Sequence, residues 1–291
     1  MPKPVKPVIA LLYDFDKTLS PKDMQEYGFI PSVNMRPEEF WAEADALAKK
    51  NKMDSVLAYM YLMLDKSRQA KKPVRRRDIV KLGASLELNR GVETWFGRVG
   101  RFAHESGLKA EHYVISSGLR EIIEGCAIYK KFRDVFACEF FYDENGVACW
   151  PKNVVNYTTK TQFLFRINKG VLDLSDDAGL NRYAPEETRP VPFSNMIYIG
   201  DGFTDVPCMR LVKTNGGYSV AVYANGKKGV ADRLLADGRV NFTAPADYRE
   251  GGELENTVRD IISRVAATDR LVKKTRLQLA NISGSAGAPV V

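Results

Sequence analysis

Six apolar residues, Val8-Ile9-Ala10-Leu11-Leu12-Tyr13, run unbroken into Asp14-Phe15-Asp16-Lys17-Thr18. An apolar run without alternation reads as a strand buried on both faces, the pattern of a strand inside a parallel sheet. Open α/β sheets bind their ligands at the carboxyl ends of such strands. The two carboxylates therefore fall where this kind of fold places its chemistry.

Two later runs repeat the pattern. Tyr113-Val114-Ile115 leads into Ser116-Ser117-Gly118, and Met196-Ile197-Tyr198-Ile199 leads into Gly200-Asp201-Gly202, with Asp205 just beyond. Val220 to Tyr223 adds a further strand. Phe140-Phe141-Tyr142 and Val147-Ala148-Cys149-Trp150 flank Asp143-Glu144-Asn145-Gly146, whose Asn-Gly marks a hairpin turn. Val92, Trp95, Phe96, Val99, Phe102 and Ala103 line one face of a helix ending near Gly107, and Leu254 to Val265 carry a late amphipathic helix.

Between the first strand and that helix the pattern is helical throughout. Pro37-Glu38-Glu39 is a favourable helix start, followed by Phe40, Trp41, Ala44, Leu47 and Ala48 at helical spacing. Val56, Leu57, Met60, Tyr61 and Leu64 form a second stripe, and Ile79, Val80 and Leu82 begin a third. The stripe from Met53 to Leu64 reads as packing within this insert. The expected organisation is an α/β core from residues 1–19 and 89–282, an inserted helical cap at 20–88, and a disordered tail at 283–291. Residues 170–192 form a polar, irregular segment, read as a surface loop in preference to an insertion at the site.

Length and composition exclude some classes. A chain of 291 residues, 45% hydrophobic and 27% charged, can bury a full core without disulfide staples. Cys126, Cys138, Cys149 and Cys208 lack metal or redox spacing and read as reduced packing residues. No apolar run approaches the roughly 20 residues needed to cross a bilayer, and the leader lacks a signal-peptide core. The expectation is a cytoplasmic protein with no membrane partner. The net charge of +7 favours anions. Arg68, Lys71, Lys72, Arg75, Arg76 and Arg77 form the densest basic segment. It reads as a solvated loop, with an anion-attracting lip or a nucleic-acid contact as the alternatives; no aromatic residues interleave it, which disfavours single-stranded nucleic acid. No Gly-x-Gly-x-x-Gly follows the first strand, so a dinucleotide-binding dehydrogenase is disfavoured. His104 and His112 flank a turn and read as structural.

Asp14, Asp16, Asp201 and Asp205 at one sheet edge would repel one another. A hard dication bound by oxygens is the usual remedy, and Mg²⁺ suits carboxylates, waters and a phosphate. Phosphoryl transfer also needs a nucleophile, a proton donor and charge around the transferring oxygens. Asp14 can attack, and Asp16 can act as acid and then as base. Thr18 can bond back into the turn. Ser116 and the N–H groups after it, with Gly118 permitting close approach, can bind phosphoryl oxygens; Ser117 is a competitor for the role of Ser116. Lys160, at a helix start, can bring a cation to the same oxygens, and Lys169 competes for that role.

Asp14-x-Asp16-x-Thr18, Ser116, a downstream lysine and Gly200-Asp201-Gly202-x-x-Asp205, in this order, resemble the four motifs of the haloacid dehalogenase superfamily. The helical insert after the first motif, Gly91-Val92-Glu93 and the hairpin before Lys160 resemble its phosphoserine-phosphatase-like branch. The resemblance implies a Rossmann-like core and a phosphoaspartate on Asp14. It also implies Mg²⁺ held by Asp14, the main-chain carbonyl of Asp16, and Asp201, with Asp205 in support. The phosphate-binding set would be Thr18, Ser116, Ser117, Gly118 and Lys160. Asp16 favours a phosphatase over a dehalogenase. The expected function is Mg²⁺-dependent hydrolysis of a small phosphorylated metabolite. The alternatives are a phosphotransferase or mutase of the same superfamily, and a non-catalytic nucleic-acid binder using the basic segment. The sequence specifies neither the substrate nor an oligomeric state.

Overall fold

A computed structural model describes residues 6–224 and 226–285 of the chain. The first strand, β1 (Val8–Tyr13), is buried along nearly its whole length and leads through a 3₁₀ turn, Met24–Tyr27, into the helical insert. That insert holds α1 (Phe29–Ser32), α2 (Pro37–Asn51), α3 (Ser55–Gln69) and α4 (Arg76–Leu82). Pro37 opens α2 with Glu38 and Glu39 in its first turn and Lys49 and Lys50 in its last, so both ends complement the helix dipole. Asp54 caps α3 by accepting the N–H groups of Val56 and Leu57.

The chain returns to the sheet through α5 (Val92–Glu105), β2 (Lys109–Leu119) and α6 (Arg120–Glu124). β3 (Asp134–Tyr142) and β4 (Ala148–Asn153) form the hairpin, and α7 (Lys160–Lys169) and α8 (Asp177–Asn181) follow. β5 (Met196–Gly200), α9 (Val206–Thr214), β6 (Tyr218–Tyr223), α10 (Gly229–Ala236), β7 (Phe242–Pro245) and α11 (Glu253–Ser285) complete the described chain.

The seven strands form one sheet in the order β4-β3-β2-β1-β5-β6-β7. Every pairing is parallel except that of β3 with β4. The fold is thus α/β with a mainly parallel sheet, as the apolar runs predict. β1 lies at its centre, between β2 and β5, where the chain order along the sheet reverses. This is the topological switch point, and the ends of β1, β2 and β5 open there.

A buried polar chain fixes the centre. The Trp95 indole N–H donates to the Tyr13 hydroxyl at 2.8 Å, and that hydroxyl lies 3.0 Å from His112 Nδ1. Burial lowers the His112 pKa to about 3. The ring is therefore neutral, and Nδ1 can accept the Tyr13 proton. His112 has a structural role, as expected, but it lies inside β2 and not beside a turn.

The structure departs from the sequence reading at several points. β2 does not stop before Ser116; it continues to Leu119, although its register with β3 shifts between Ile115 and Leu119. β7 has only four residues, too short for a periodicity, and its pattern gave no signal. The late helix extends past 282 as far as Ser285, so the tail expected from 283 starts in a helix; residues 286–291 lie outside the described residues. Segment 170–192 contains α8 and is tied to the end of α7. There the Arg166 guanidinium donates to the carbonyls of Asp173 and Leu174 at 2.7 and 3.1 Å. The basic segment, expected as a solvated loop, is a loop only at its middle: Arg68 lies on α3 and Arg76 and Arg77 open α4, while Lys72 donates to the Ser32 carbonyl, Arg75 to the Asn145 carbonyl, and Arg76 pairs with Glu124.

Candidate active site

At the end of β1 the backbone N–H of Asp14 donates to the Ile199 carbonyl at 2.9 Å, extending the ladder with β5 by one bond. Lys17 then takes a left-handed conformation (φ 57°), rare for a residue with a Cβ. The chain folds back tightly, and the N–H groups of Thr18, Leu19 and Ser20 all reach the Phe15 carbonyl at 3.3, 2.9 and 3.0 Å. The Asp16 side chain is held separately: its Oδ1 accepts the Met24 N–H at 2.8 Å. The Asp16 carbonyl takes no hydrogen bond among the described residues.

Lys160 begins α7 and is fully buried. Its Nζ donates to Asp14 Oδ1 at 2.9 Å and to Asp205 Oδ1 at 2.7 Å. Asp205 also accepts the Tyr198 hydroxyl at 2.7 Å. Carboxylate oxygens of Asp14, Asp201 and Asp205 lie within 4.8 Å of one another. Lys169 stands apart from this group; its Nζ donates to the carbonyls of Leu180 and Arg182. Of the two candidate lysines, Lys160 meets the carboxylates.

Burial raises the Asp14 pKa, Lys160 pulls it back, and the Asp205 charge raises it again. Asp201 is raised by burial and then by the charges of Asp14 and Asp205. Asp16 stands well above the ordinary carboxylate range through burial and the charges of Asp23 and Asp14. Burial alone would lower Lys160, but the two carboxylates outweigh it and hold the ammonium charged. Asp14 and Lys160 are thus both raised although they are partners. For Asp14 the cause is first burial and then the Asp205 charge; for Lys160 it is the two acids, which outweigh burial. Ionised, Asp14, Asp201 and Asp205 would carry three negative charges against that one ammonium. An all-oxygen donor set with a net charge near −2 fits a hard dication such as Mg²⁺.

The serine end of the site lies on β2. Ser116 is buried, and its Oγ accepts the Gly118 N–H at 3.0 Å. That bond leaves the hydroxyl proton free to be donated. Ser117 contributes its carbonyl to the Tyr59 hydroxyl at 2.7 Å, which ties α3 to this loop. A Cβ on Gly118 would lie 2.2 Å from Met24 Cε and 3.0 Å from Asp16 Oδ2, so a larger residue there would push the end of the Met24 side chain aside and crowd Asp16. The Thr18 hydroxyl is buried without a hydrogen-bond partner, while its carbonyl accepts from Asn89 Nδ2 and the Tyr248 hydroxyl. Thr18 anchors the turn through its backbone.

Several supporting residues escaped the sequence reading. Asn156 Oδ1 accepts the N–H groups of Thr158 and Thr159 at 3.0 and 2.9 Å, building the turn from which Lys160 enters α7. Its Nδ2 donates to Asp54 Oδ2 at 2.8 Å, joining the insert to that turn. An Asn four residues ahead of a helix-opening lysine was the available signal. Tyr198 reads as one more apolar residue of β5, although a buried hydroxyl always needs a partner. Asn89 and Tyr248 hold the Thr18 carbonyl from positions remote in sequence, and nothing local announces them.

Comparison with known proteins agrees with this geometry. Residues 11–210 match the family model described as haloacid dehalogenase-like hydrolase. A protein of Borreliella burgdorferi described as uncharacterized is 29% identical over 282 residues, covering 88% of this chain and 96% of that one. Among solved structures, a probable phosphoserine phosphatase from Vibrio cholerae superposes with TM-score 0.58 at 15% identity, covering 91% of this chain and 67% of that chain. A phosphoserine phosphatase in its apo form gives TM-score 0.54 at 15% identity, with coverage of 83% and 96%. With the acids, the lysine and the serine gathered at the switch point of such a sheet, the chain belongs to the haloacid dehalogenase-like hydrolases and has the fold of their phosphoserine-phosphatase-like branch.

Proposed function

We propose that this chain is a Mg²⁺-dependent phosphatase that hydrolyses a small phosphomonoester through a phosphoaspartate on Asp14. The reading is supported above all by Lys160 bridging Asp14 and Asp205, with the Asp201 carboxylate in the same cluster. Asp14 and Asp201, with the open carbonyl of Asp16, would hold the metal, and Asp205 would support it. Bound there, Mg²⁺ would neutralise charge on the phosphoryl oxygens and let Asp14 remain ionised.

Asp14 attacks phosphorus, and the bond to the leaving oxygen breaks. Asp16, whose surroundings favour its protonated form, gives its proton to that oxygen. Water then attacks the phosphoaspartate and passes a proton to Asp16, and inorganic phosphate leaves. Ser116 and the Gly118 region donate to the phosphoryl oxygens, and Lys160 supplies fixed positive charge beside them. The helical segment 20–88 serves as a cap: Tyr59 and Asp54 already reach the core loops, and its closure would exclude bulk water during attack.

The basic segment is read as structural and not as a nucleic-acid site, because Lys72, Arg75 and Arg76 have partners within the fold. The unpaired cysteines suit the cytoplasm, and no described helix is long and apolar enough to cross a membrane. The decisive experiment is hydrolysis of p-nitrophenyl phosphate with Mg²⁺, with EDTA, and by Asp14→Asn. Turnover that vanishes in both controls is expected. Wild-type turnover in Asp14→Asn would refute the mechanism.

A further inference from the structure

Beside Asp16, between the helical insert and the strand ends, lies a cavity of about 230 Å³. Trp41 and Asp45 of α2, Tyr59 of α3, Asp23 and Gln25 ahead of α1, and Tyr157 ahead of α7 line it, with Ser117 of β2. Since Asp16 also borders this space, the leaving group that Asp16 protonates must occupy it. A second cavity, of about 220 Å³, holds Lys17 and Lys227 but borders Asp201 and not Asp16. A leaving group bound there would miss the proton donor.

The chemistry of the first cavity is one-sided. Three carboxylates border it, and no lysine or arginine is among the described residues that line it. Lys17 pairs with Asp23 at 2.7 Å, whereas Asp45 has no ion pair among the described residues. Trp41 and Tyr59 meet edge to face, with ring centroids 5.8 Å apart. Their polar ends are already used: the Trp41 N–H donates to Glu26 at 3.3 Å and the Tyr59 hydroxyl to the Ser117 carbonyl. What they offer a ligand is ring surface. Gln25 is 2% exposed, and its Oε1 is buried without a hydrogen-bond partner and away from the open space.

Ring faces attract cations, and carboxylates neutralise them. A substrate carboxylate would meet acids and no free cation. We infer that the substrate is the phosphate monoester of a small amino alcohol, its ammonium held among Trp41, Tyr59 and Asp45 while its phosphoryl group faces Asp14. The inference rests on the phosphatase reading above and uses the same proton balance. The Asp16 proton passes to the alkoxide, and the amino alcohol leaves with its ammonium unchanged.

The test uses the full chain with Mg²⁺ and four esters: p-nitrophenyl phosphate, phosphoethanolamine, n-propyl phosphate and phosphoglycolate. The last three place a cation, a methyl group or a carboxylate on a short alkyl phosphate. The kcat/KM for phosphoethanolamine should exceed that for n-propyl phosphate by about tenfold or more, with phosphoglycolate lowest. Asp45→Lys, a change at an exposed position, should reduce the phosphoethanolamine to n-propyl phosphate ratio by about tenfold. Equal or better turnover of phosphoglycolate, or an unchanged ratio in Asp45→Lys, would overturn the inference and leave the phosphatase reading intact. No hydrolysis of any ester, p-nitrophenyl phosphate included, would overturn both.

Discussion

Lys160 Nζ lies 2.7 Å from Asp205 Oδ1, and neither side chain is more than 1% exposed. The same nitrogen reaches Asp14 at 2.9 Å, so one buried ammonium stands between two buried acids. Removing one partner of a buried ion pair typically costs about 3–5 kcal/mol, because the other charge stays behind uncompensated. Lys160→Met should therefore lower the unfolding free energy by about that amount, read from urea denaturation at pH 8 in EDTA. A loss below about 1 kcal/mol would mean that the acids discharge by taking up protons.

Gly200 is the residue that lets Asp205 reach this position. A Cβ there would lie 2.4 Å from Asp205 Oδ2 and 2.6 Å from its Cγ. Asp205 cannot swing aside without releasing Lys160 and Tyr198. Gly200→Ala should lower kcat/KM on p-nitrophenyl phosphate by about tenfold or more and destabilise the fold by about 1–3 kcal/mol. Gly202→Ala is the internal comparison, since its Cβ would meet only Thr204 Oγ1 at 3.9 Å. Equal stability losses for the two variants would show that the contact with Asp205 is not what matters at Gly200.

The two acids after β1 and the two after β5 were legible because each follows a short, unbroken apolar strand, a pattern set by burial on both faces. β1 keeps the bounds of its apolar run, and β5 exceeds its run by Gly200 alone. Ser116 was legible as a position but not as a strand end, because β2 continues past it with a shifted register, and such an irregularity leaves no periodic trace. The choice between Lys160 and Lys169 turned on tertiary contacts. Both lie on α7, one at each end, and what distinguishes them is the contact of Lys160 with Asp14, just after β1, and Asp205, just ahead of α9. Asn156 and Tyr198 were overlooked for a related reason: their importance lies in whom they touch, and Asp54 and Asp205 are distant or on another element.

Metal binding should release protons. Asp14 and Asp201 are raised by burial and by neighbouring acids, so the metal-free site retains protons at a pH where ordinary carboxylates have lost theirs. A dication needs these oxygens ionised. Mg²⁺ affinity should therefore increase as pH rises through the neutral range. Isothermal titration in two buffers of different ionisation enthalpy measures the release directly. Binding with no proton release and no pH dependence between pH 6 and 8 would contradict this account of the carboxylate cluster (an interval of roughly the width over which such shifted acids titrate).

His112 gives the fold an acid-sensitive point away from the chemistry. Burial lowers its pKa to about 3, against about 6.5 in an unfolded chain. The unfolded state then binds the extra proton between these values, so stability is fully present above about pH 6.5 and falls as pH drops toward 3. At pH 5 the loss from this group should be about 2 kcal/mol. The Tyr13 hydroxyl and Trp95, linked to the ring through one buried chain, would feel the imidazolium first, because Nδ1 could no longer accept. His112→Phe should be less stable than wild type at pH 8, having lost the acceptor for Tyr13, yet its stability should decline less steeply between pH 6.5 and 4. Urea denaturation of both proteins across that range gives the two slopes. Parallel slopes would place the acid sensitivity in other groups.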